Sequence, residues 1–248
     1  MQGFALSVLA RVRVVLVSTS HPGNIGAAAR AMKTMGLLRL TLVTPKSFPH
    51  AEAAALAAGA HDVLSAARVC GTLAQALEGT VASFGFTARP RELSHAAVDV
   101  REAAAEALVA AGVGDVALVF GGEMSGLSNE ELIQCGRLVH IPTQPAFSSL
   151  NLAQAVQVAA YEMWQAAAGA RLERPPAVPL ATHEELEHLF RHLEQVLVST
   201  GFLDPAHPKR LMERLRRLFV RARLEREEIN ILRGVLTAVE DFRRRNSA

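Results

Sequence analysis

Phe147 to Gln157 reads FSSLNLAQAVQ, three small or polar residues opening an Ala/Val-rich helix directly after a short strand and a proline-containing loop. Leu138-Val139-His140-Ile141 supplies the strand. Pro142 and Pro145 end it, because proline fixes φ and has no N–H for a ladder. Ser148, Ser149 and Asn151 then gather hydroxyls, an amide and free backbone N–H groups around one point. That equipment suits a polar ligand at a helix N-terminus. Ordinary capping needs no more than this, so the ligand reading depends on what the rest of the chain offers.

Two other segments offer the same construction. The apolar run Val116 to Phe120 ends in Gly121-Gly122-Glu123, and Ser128 with Glu131 three residues later forms a capping box that starts a helix. The paired glycines allow positive φ and close backbone approach, and Glu123 sits in the turn between strand and helix. In open α/β sheets, turns at the carboxyl ends of parallel strands are where ligands bind. Near the start of the chain, Val12 to Val17 reads as a strand and Ser18 to Gly26 as a loop. A helix follows over Ala27 to Met35, stopped by Gly36. Arg30 is a lone cation on this Ala- and Met-rich helix. It either solvates the helix or reaches back over the loop toward an anion such as a phosphate.

Apolar runs at 12–17, 38–43, 81–86, 116–120 and 138–141 alternate with helical stretches at 27–35, 51–58, 72–78, 99–111 and 150–168. The alternation predicts an α/β domain whose parallel sheet is covered on both faces. Residues 171–182, RLERPPAVPLAT, read as a semi-rigid linker. The expected organisation is a domain over 1–170, the linker, and a small helical, charged unit over 183–248.

Charge follows this division, although the net value is only +2. Residues 171–248 carry 15 Lys and Arg against 12 Asp and Glu, which leaves 11 against 12 for residues 1–170. Arg210, Arg214, Arg217 and Arg221 fall on one side of a helix whose other side is Leu211, Leu215, Leu218, Phe219 and Ala222. This cationic stripe is either a solvated face or a contact for RNA phosphates.

Several function classes are excluded. There is no phosphate-binding loop of the NTPase type and no GxGxxG after the first strand, and the serines lack a hydrolase elbow. The nine histidines are scattered without metal-ligand spacing, so no metal is expected. Cys70 and Cys135 lie far apart in apolar sequence, as free thiols do in a reducing cytoplasm. No signal peptide and no 18-residue apolar run is present, so a cytoplasmic protein without membrane association is expected.

NIGAAARAMKTMG (24–36), ALVFGGEMSGLSNEEL (117–132) and IPTQPAFSSLNLAQAVQVAAYE (141–162) together resemble the three ordered motifs of the SPOUT RNA methyltransferases. The similarity extends through HLEQVLVSTGF (192–202), LRRLF (215–219) and NILRG (230–234), placing the chain nearest the tRNA ribose methyltransferases of that superfamily. The resemblance implies a sheet whose C-terminal segment threads a trefoil knot, and S-adenosylmethionine as cofactor. It also implies 2′-O-methylation of cytidine or uridine at tRNA anticodon-loop position 32. A ribose methyltransferase for rRNA or another tRNA site, and an RNA-binding SPOUT protein without catalysis, are the alternatives.

Residue by residue, the resemblance points to Phe86, Thr87, Ala88, Gly121, Ile141, Ser148, Ser149 and Leu150 around the cofactor. Arg30, Asn24, Glu123, Ser149 and Asn151 fall at the catalytic positions. Arg89 and Arg91 border the RNA, with Arg214, Arg217 and Arg221 as further phosphate contacts. Arginine ordinarily keeps its proton, which makes Arg30 a difficult general base and a better bidentate clamp. Gly122 is a departure, because several relatives place an arginine there, and its absence removes one expected contact. A homodimer is implied as well, with the helix Leu150 to Ala168 as an interface element.

Overall fold

The computed structural model describes residues 7–88, 97–169 and 179–246. Two compact units divide between Pro175 and Pro176.

The first unit is built on seven strands: β1 (Val12–Val17), β2 (Arg39–Val43), β3 (Arg68–Cys70), β4 (Thr80–Phe86), β5 (Val98–Asp99), β6 (Asp115–Phe120) and β7 (Arg137–His140). They lie in the order β3-β2-β1-β6-β4-β7-β5, and every pair is parallel. Alternation along the strands loads both faces. Val12, Val14 and Leu16 of β1 join Leu40, Leu42, Phe84, Leu118 and Val139 in one apolar layer. Val15 and Val17 join Val43, Ala117, Val119 and Leu138 in the other. Helices α1 (Pro22–Thr34), α2 (Ala51–Ala57), α5 (Val100–Ala111) and α7 (Leu152–Gly169) contribute to the first layer. The shorter α4 (Leu73–Leu77) and α6 (Asn129–Gln134) contribute to the second, while α3 (His61–Ser65) adds Val63 to the first. The sheet is therefore covered on both faces, as the alternation of elements requires.

At the amino edge of the sheet, charges are paired off. The buried Arg13 donates to the Ala76 and Glu78 carbonyls at 3.0 Å each and to Asp115 at 2.7 Å. Arg39 meets the same carboxylate at 2.8 Å. Burial raises the Asp115 carboxyl, and the two guanidiniums outweigh that and hold it below its ordinary value.

Three expectations are corrected. β3 and β5 are absent from the sequence reading because strands of three and two residues carry no period. α1 begins at Pro22, so Asn24 and Gly26 are helical and not part of a loop. The proline occupies the first helical position, where its missing N–H is no loss, and Gly36 ends the helix as expected with φ 73°. Gly121 and Gly122 do not use positive φ; in that turn Gly126 does, at 66°.

The second unit is helical: α8 (His183–Ser199), α9 (Leu211–Ala222) and α10 (Arg226–Asn246). Thr182 and Glu185 form a capping box at the start of α8, and Ala181, Leu189 and Ile229 make a small core. Among the described residues no helix is long and apolar enough to cross a membrane.

Candidate functional site

Four neighbouring strands, β1, β6, β4 and β7, deliver their following loops to one edge of the sheet. Ser18, Gly121, Thr87 and Ile141 are the first residues beyond them. The loops are tied together by Glu123. Its carboxylate accepts the Ser20 N–H at 2.9 Å and the Ser20 hydroxyl at 2.7 Å on one oxygen, and the His21 N–H at 3.1 Å and the Asn24 amide at 2.7 Å on the other. His21 caps α1 without using its own side chain, so Glu123, from a loop about a hundred residues away, satisfies the backbone there. A carboxylate at a helix N-terminus is also favoured by the helix dipole. Burial raises the Glu123 carboxyl, but the hydrogen bonds from Ser20 and Asn24 outweigh it and bring it down to about 2. Such a carboxylate is a poor proton acceptor. Its four hydrogen bonds tie the two loops together.

The network continues. Asn24 accepts the Asn151 amide at 3.0 Å, and the Asn151 oxygen caps α7 by taking the Ala153 N–H at 2.9 Å. The three segments singled out in the sequence therefore meet in one chain of hydrogen bonds, Glu123 to Asn24 to Asn151.

Beside this chain lies an open cleft at the carboxyl edge of the sheet. Phe86, Thr87, Ala88, Gly121, Ile141, Ser148, Ser149 and Leu150 all line it, and so does Glu123. Phe86 stacks on Phe120 with ring centroids 4.2 Å apart, forming an apolar floor across β4 and β6. A Cβ on Gly121 would lie 2.1 Å from the Gly126 carbonyl carbon and 2.2 Å from the Leu127 nitrogen, so only glycine lets the turn fold back.

Other expected residues fall elsewhere. Arg30 is exposed, does not line the cleft, and has no hydrogen-bond or ion-pair partner among the described residues. Six residues beyond Asn24, it is turned about 600° along the helix and faces a different direction. Arg89 and Arg91 lie outside the described residues. In the second unit, Arg210 is engaged by Glu213 at 2.9 Å, while Arg214, Arg217 and Arg221 have no ion-pair partner among the described residues. Arg216 stands apart from the stripe, and its contacts explain why it cannot serve there: it holds Glu187 bidentately and lies 4.6 Å over the Phe190 ring. No cluster of three or more metal-ligating side chains occurs among the described residues.

Sequence reasoning missed Ser20 and His21, whose backbone N–H groups hold Glu123, and Phe120, Met124 and Ser125 in the cleft wall. Only the last three carried a signal, standing inside a quoted motif.

Comparison with known proteins agrees with this geometry. Residues 11–161 match the SpoU rRNA Methylase family, and residues 184–248 match the C-terminal domain of the tRNA methyltransferase TrmJ. The tRNA (cytidine/uridine/adenosine-2′-O-)-methyltransferase TrmJ of Pseudomonas aeruginosa is 51% identical over 248 residues, 96% of each chain. The tRNA (cytidine/uridine-2′-O-)-methyltransferase TrmJ of Cronobacter sakazakii is 48% identical over 95% of this chain and 98% of its own. The crystal structure of TrmJ from Z. mobilis superposes with a TM-score of 0.79 at 35% identity, covering 92% of this chain and 98% of that one. A family match across more than half of the residues, joined to relatives of this identity over nearly the whole length, means that the chain belongs to the SpoU methylase family, with the TrmJ-type C-terminal domain attached.

Proposed function

We propose that this protein is an S-adenosylmethionine-dependent tRNA ribose 2′-O-methyltransferase acting on cytidine or uridine at anticodon-loop position 32, and that it works as a homodimer. The observation that carries the reading is the Glu123–Asn24–Asn151 chain standing beside a cleft lined by all eight residues expected around the cofactor. The lining fits that cofactor. Phe86, Phe120, Ile141 and Leu150 suit an adenine, and Ser148, Ser149 and backbone groups of the Gly-rich turn suit the ribose and amino-acid portions.

When bound, S-adenosylmethionine supplies an electrophilic methyl group to the ribose 2′-oxygen. A 2′-hydroxyl is a poor nucleophile, so the chain's residues contribute by placement. Glu123 fixes the start of α1, Asn24 passes that constraint to Asn151, and Asn151 fixes the start of α7, where Ser149 faces the cleft. Arg30 clamps a phosphate of the target nucleotide, brought to the site when RNA and the partner subunit complete it. Tyr161 and Trp164, exposed on α7, form part of the subunit contact. The trefoil threading of the segment leading into α7 is part of the same proposal. Residues 183–248 hold the tRNA through Arg214, Arg217 and Arg221, with Arg89 and Arg91 contacting RNA from the first unit.

The decisive experiment incubates the purified chain with labelled S-adenosylmethionine and either unmodified tRNA or unmodified rRNA and maps ribose methylation by nucleotide. Methylation at position 32 is expected. Methylation confined to rRNA, or binding of tRNA without transfer, overturns the assignment.

A further inference from the structure

The turn that carries Phe147 faces the cleft on one side and solvent on the other. The Phe147 N–H donates to the Gln144 carbonyl at 2.9 Å, and the Thr143 hydroxyl donates to the Ser148 carbonyl at 3.2 Å. Ser148 and Ser149 line the cleft, but Phe147 does not, and it is 83% exposed. A ligand that fills the cleft leaves this ring uncovered. Among the described residues of the cleft loops, the other strongly exposed large apolar side chain, Met124, borders the cleft itself and has no flat π face.

The reaction specifies what must lie next to the cleft. Resting on the proposed ribose methylation, the 2′-oxygen has to enter the cleft, and the base on the same ribose stays within one nucleoside's length of it. Unpaired bases of RNA loops are held mainly by stacking on aromatic side chains. We propose that Phe147 is the stacking platform for the base of the nucleotide being methylated, fixing the nucleoside without reading its Watson–Crick edge. Every base has a π face, so such a platform tolerates base identity. That tolerance fits a relative whose name records cytidine, uridine and adenosine together.

The test uses the full chain with Phe147→Ala, Phe147→Leu and Phe147→Tyr. Methyl transfer to unmodified tRNA, calorimetric affinity for S-adenosylmethionine, and mass by light scattering are measured for each. Phe147→Ala and Phe147→Leu are expected to lower kcat/KM for tRNA about 5- to 150-fold, the equivalent of one base stack. Phe147→Tyr is expected to stay near the parent. Cofactor affinity and mass should not change. Parent-like transfer by Phe147→Leu overturns the platform, because a merely apolar contact then suffices. A change in mass overturns it in favour of a subunit contact, and a loss of cofactor affinity in favour of a cofactor contact. A parent protein that methylates no tRNA overturns both this inference and the function on which it rests, whereas an active parent with an active Phe147→Leu overturns this inference alone.

Discussion

Glu123→Gln is the most informative single change, because it keeps the shape of the side chain and alters only its charge and hydrogen-bonding sense. The carboxylate accepts four hydrogen bonds, two on each oxygen. A glutamine offers one oxygen and one NH2 group. With the NH2 toward Ser20, the hydroxyl can turn to accept from it, but the Ser20 backbone N–H cannot and is left unpaired. With the NH2 toward Asn24, the His21 N–H is orphaned instead, and Asn24 is already committed to Asn151. Each arrangement thus leaves one backbone donor unsatisfied, which costs about 1–3 kcal/mol. The depressed carboxyl measures the same hydrogen bonds a second way. A carboxyl lowered from 4.5 to about 2 corresponds to roughly 3 kcal/mol, reduced to about 1–2 kcal/mol because the group is partly open to solvent. The two figures describe one set of hydrogen bonds and are not added, so the expected loss is about 1–3 kcal/mol, or a fall in Tm of about 2–12 °C for a unit of this size.

The pH dependence has a definite sign. A carboxyl whose folded pKa is depressed contributes its stability above the unfolded value, and that contribution is lost as pH falls toward about 2. The gap in thermal stability between parent and Glu123→Gln should therefore be full at neutral pH and narrow below about pH 4. Scanning calorimetry across that range, beside single-turnover methyl transfer, checks both parts. A variant with the parent's Tm and turnover, or a gap that ignores pH, refutes the positional role.

Four further outcomes follow from the geometry. Gly121→Ala forces a Cβ into the Gly126–Leu127 backbone, so stability should drop by about 1–3 kcal/mol and calorimetric cofactor affinity by at least about tenfold; unchanged affinity contradicts the cleft as the cofactor site. Arg30→Ala should leave cofactor affinity near the parent and lower turnover about 100-fold or more; Arg30→Lys should fail as well, since lysine lacks the bidentate fork, and an active Arg30→Ala removes the residue from the mechanism. Reversing Arg214, Arg217 and Arg221 to glutamate should weaken tRNA binding and flatten its salt dependence by about one slope unit for each phosphate no longer neutralised; parent affinity and slope make the stripe a solvated face. Light scattering should give a dimer for the parent and a monomer for Trp164→Glu; a parent that is monomeric at micromolar concentration refutes the subunit contact.

What was legible in the sequence follows the range of the interaction. Strands of four to seven residues and the box at Ser128 are local features, and each leaves a local pattern. The start of α1 misled because Pro22 and Gly23 look like helix breakers. Proline is suited to the first helical position, and Gly23 is where a Cβ would come within 2.7 Å of Glu52 and 2.8 Å of Leu56. The cationic stripe was found by helical spacing, but spacing cannot see α8. Glu187 on that helix takes up Arg216, and what remains of the seven basic residues from 209 to 223 is decided by packing. The clamp on Ser20 and His21 was out of reach in principle, because backbone N–H groups are the same in every sequence. Only the fold shows that Glu123 arrives opposite two of them.

Glu123 arrives at a strained edge. Ser18 and Thr44 leave the ends of β1 and β2 with φ of 52° and 44°, and their hydroxyls lie 3.3 Å apart. Non-glycine residues in this region cost about 1–3 kcal/mol each, and they persist where the surrounding structure over-determines them. Here the constraint comes from both sides. The Ser18 N–H is held by the Val43 carbonyl at 2.9 Å, and the Thr44 N–H by the Cys70 carbonyl at 3.0 Å. On the facing loop, a Cβ at Gly122 would come within 2.7 Å of the Ser18 carbonyl oxygen. Gly122 therefore has a steric part in this edge. It leaves room for the turned Ser18 carbonyl, and the next residue, Glu123, accepts the N–H groups of Ser20 and His21. The amino edge of the same sheet is closed by Arg13, Arg39 and Asp115. Strain, a helix start satisfied by a carboxylate from another loop and an open cleft coincide at the carboxyl edge of the sheet.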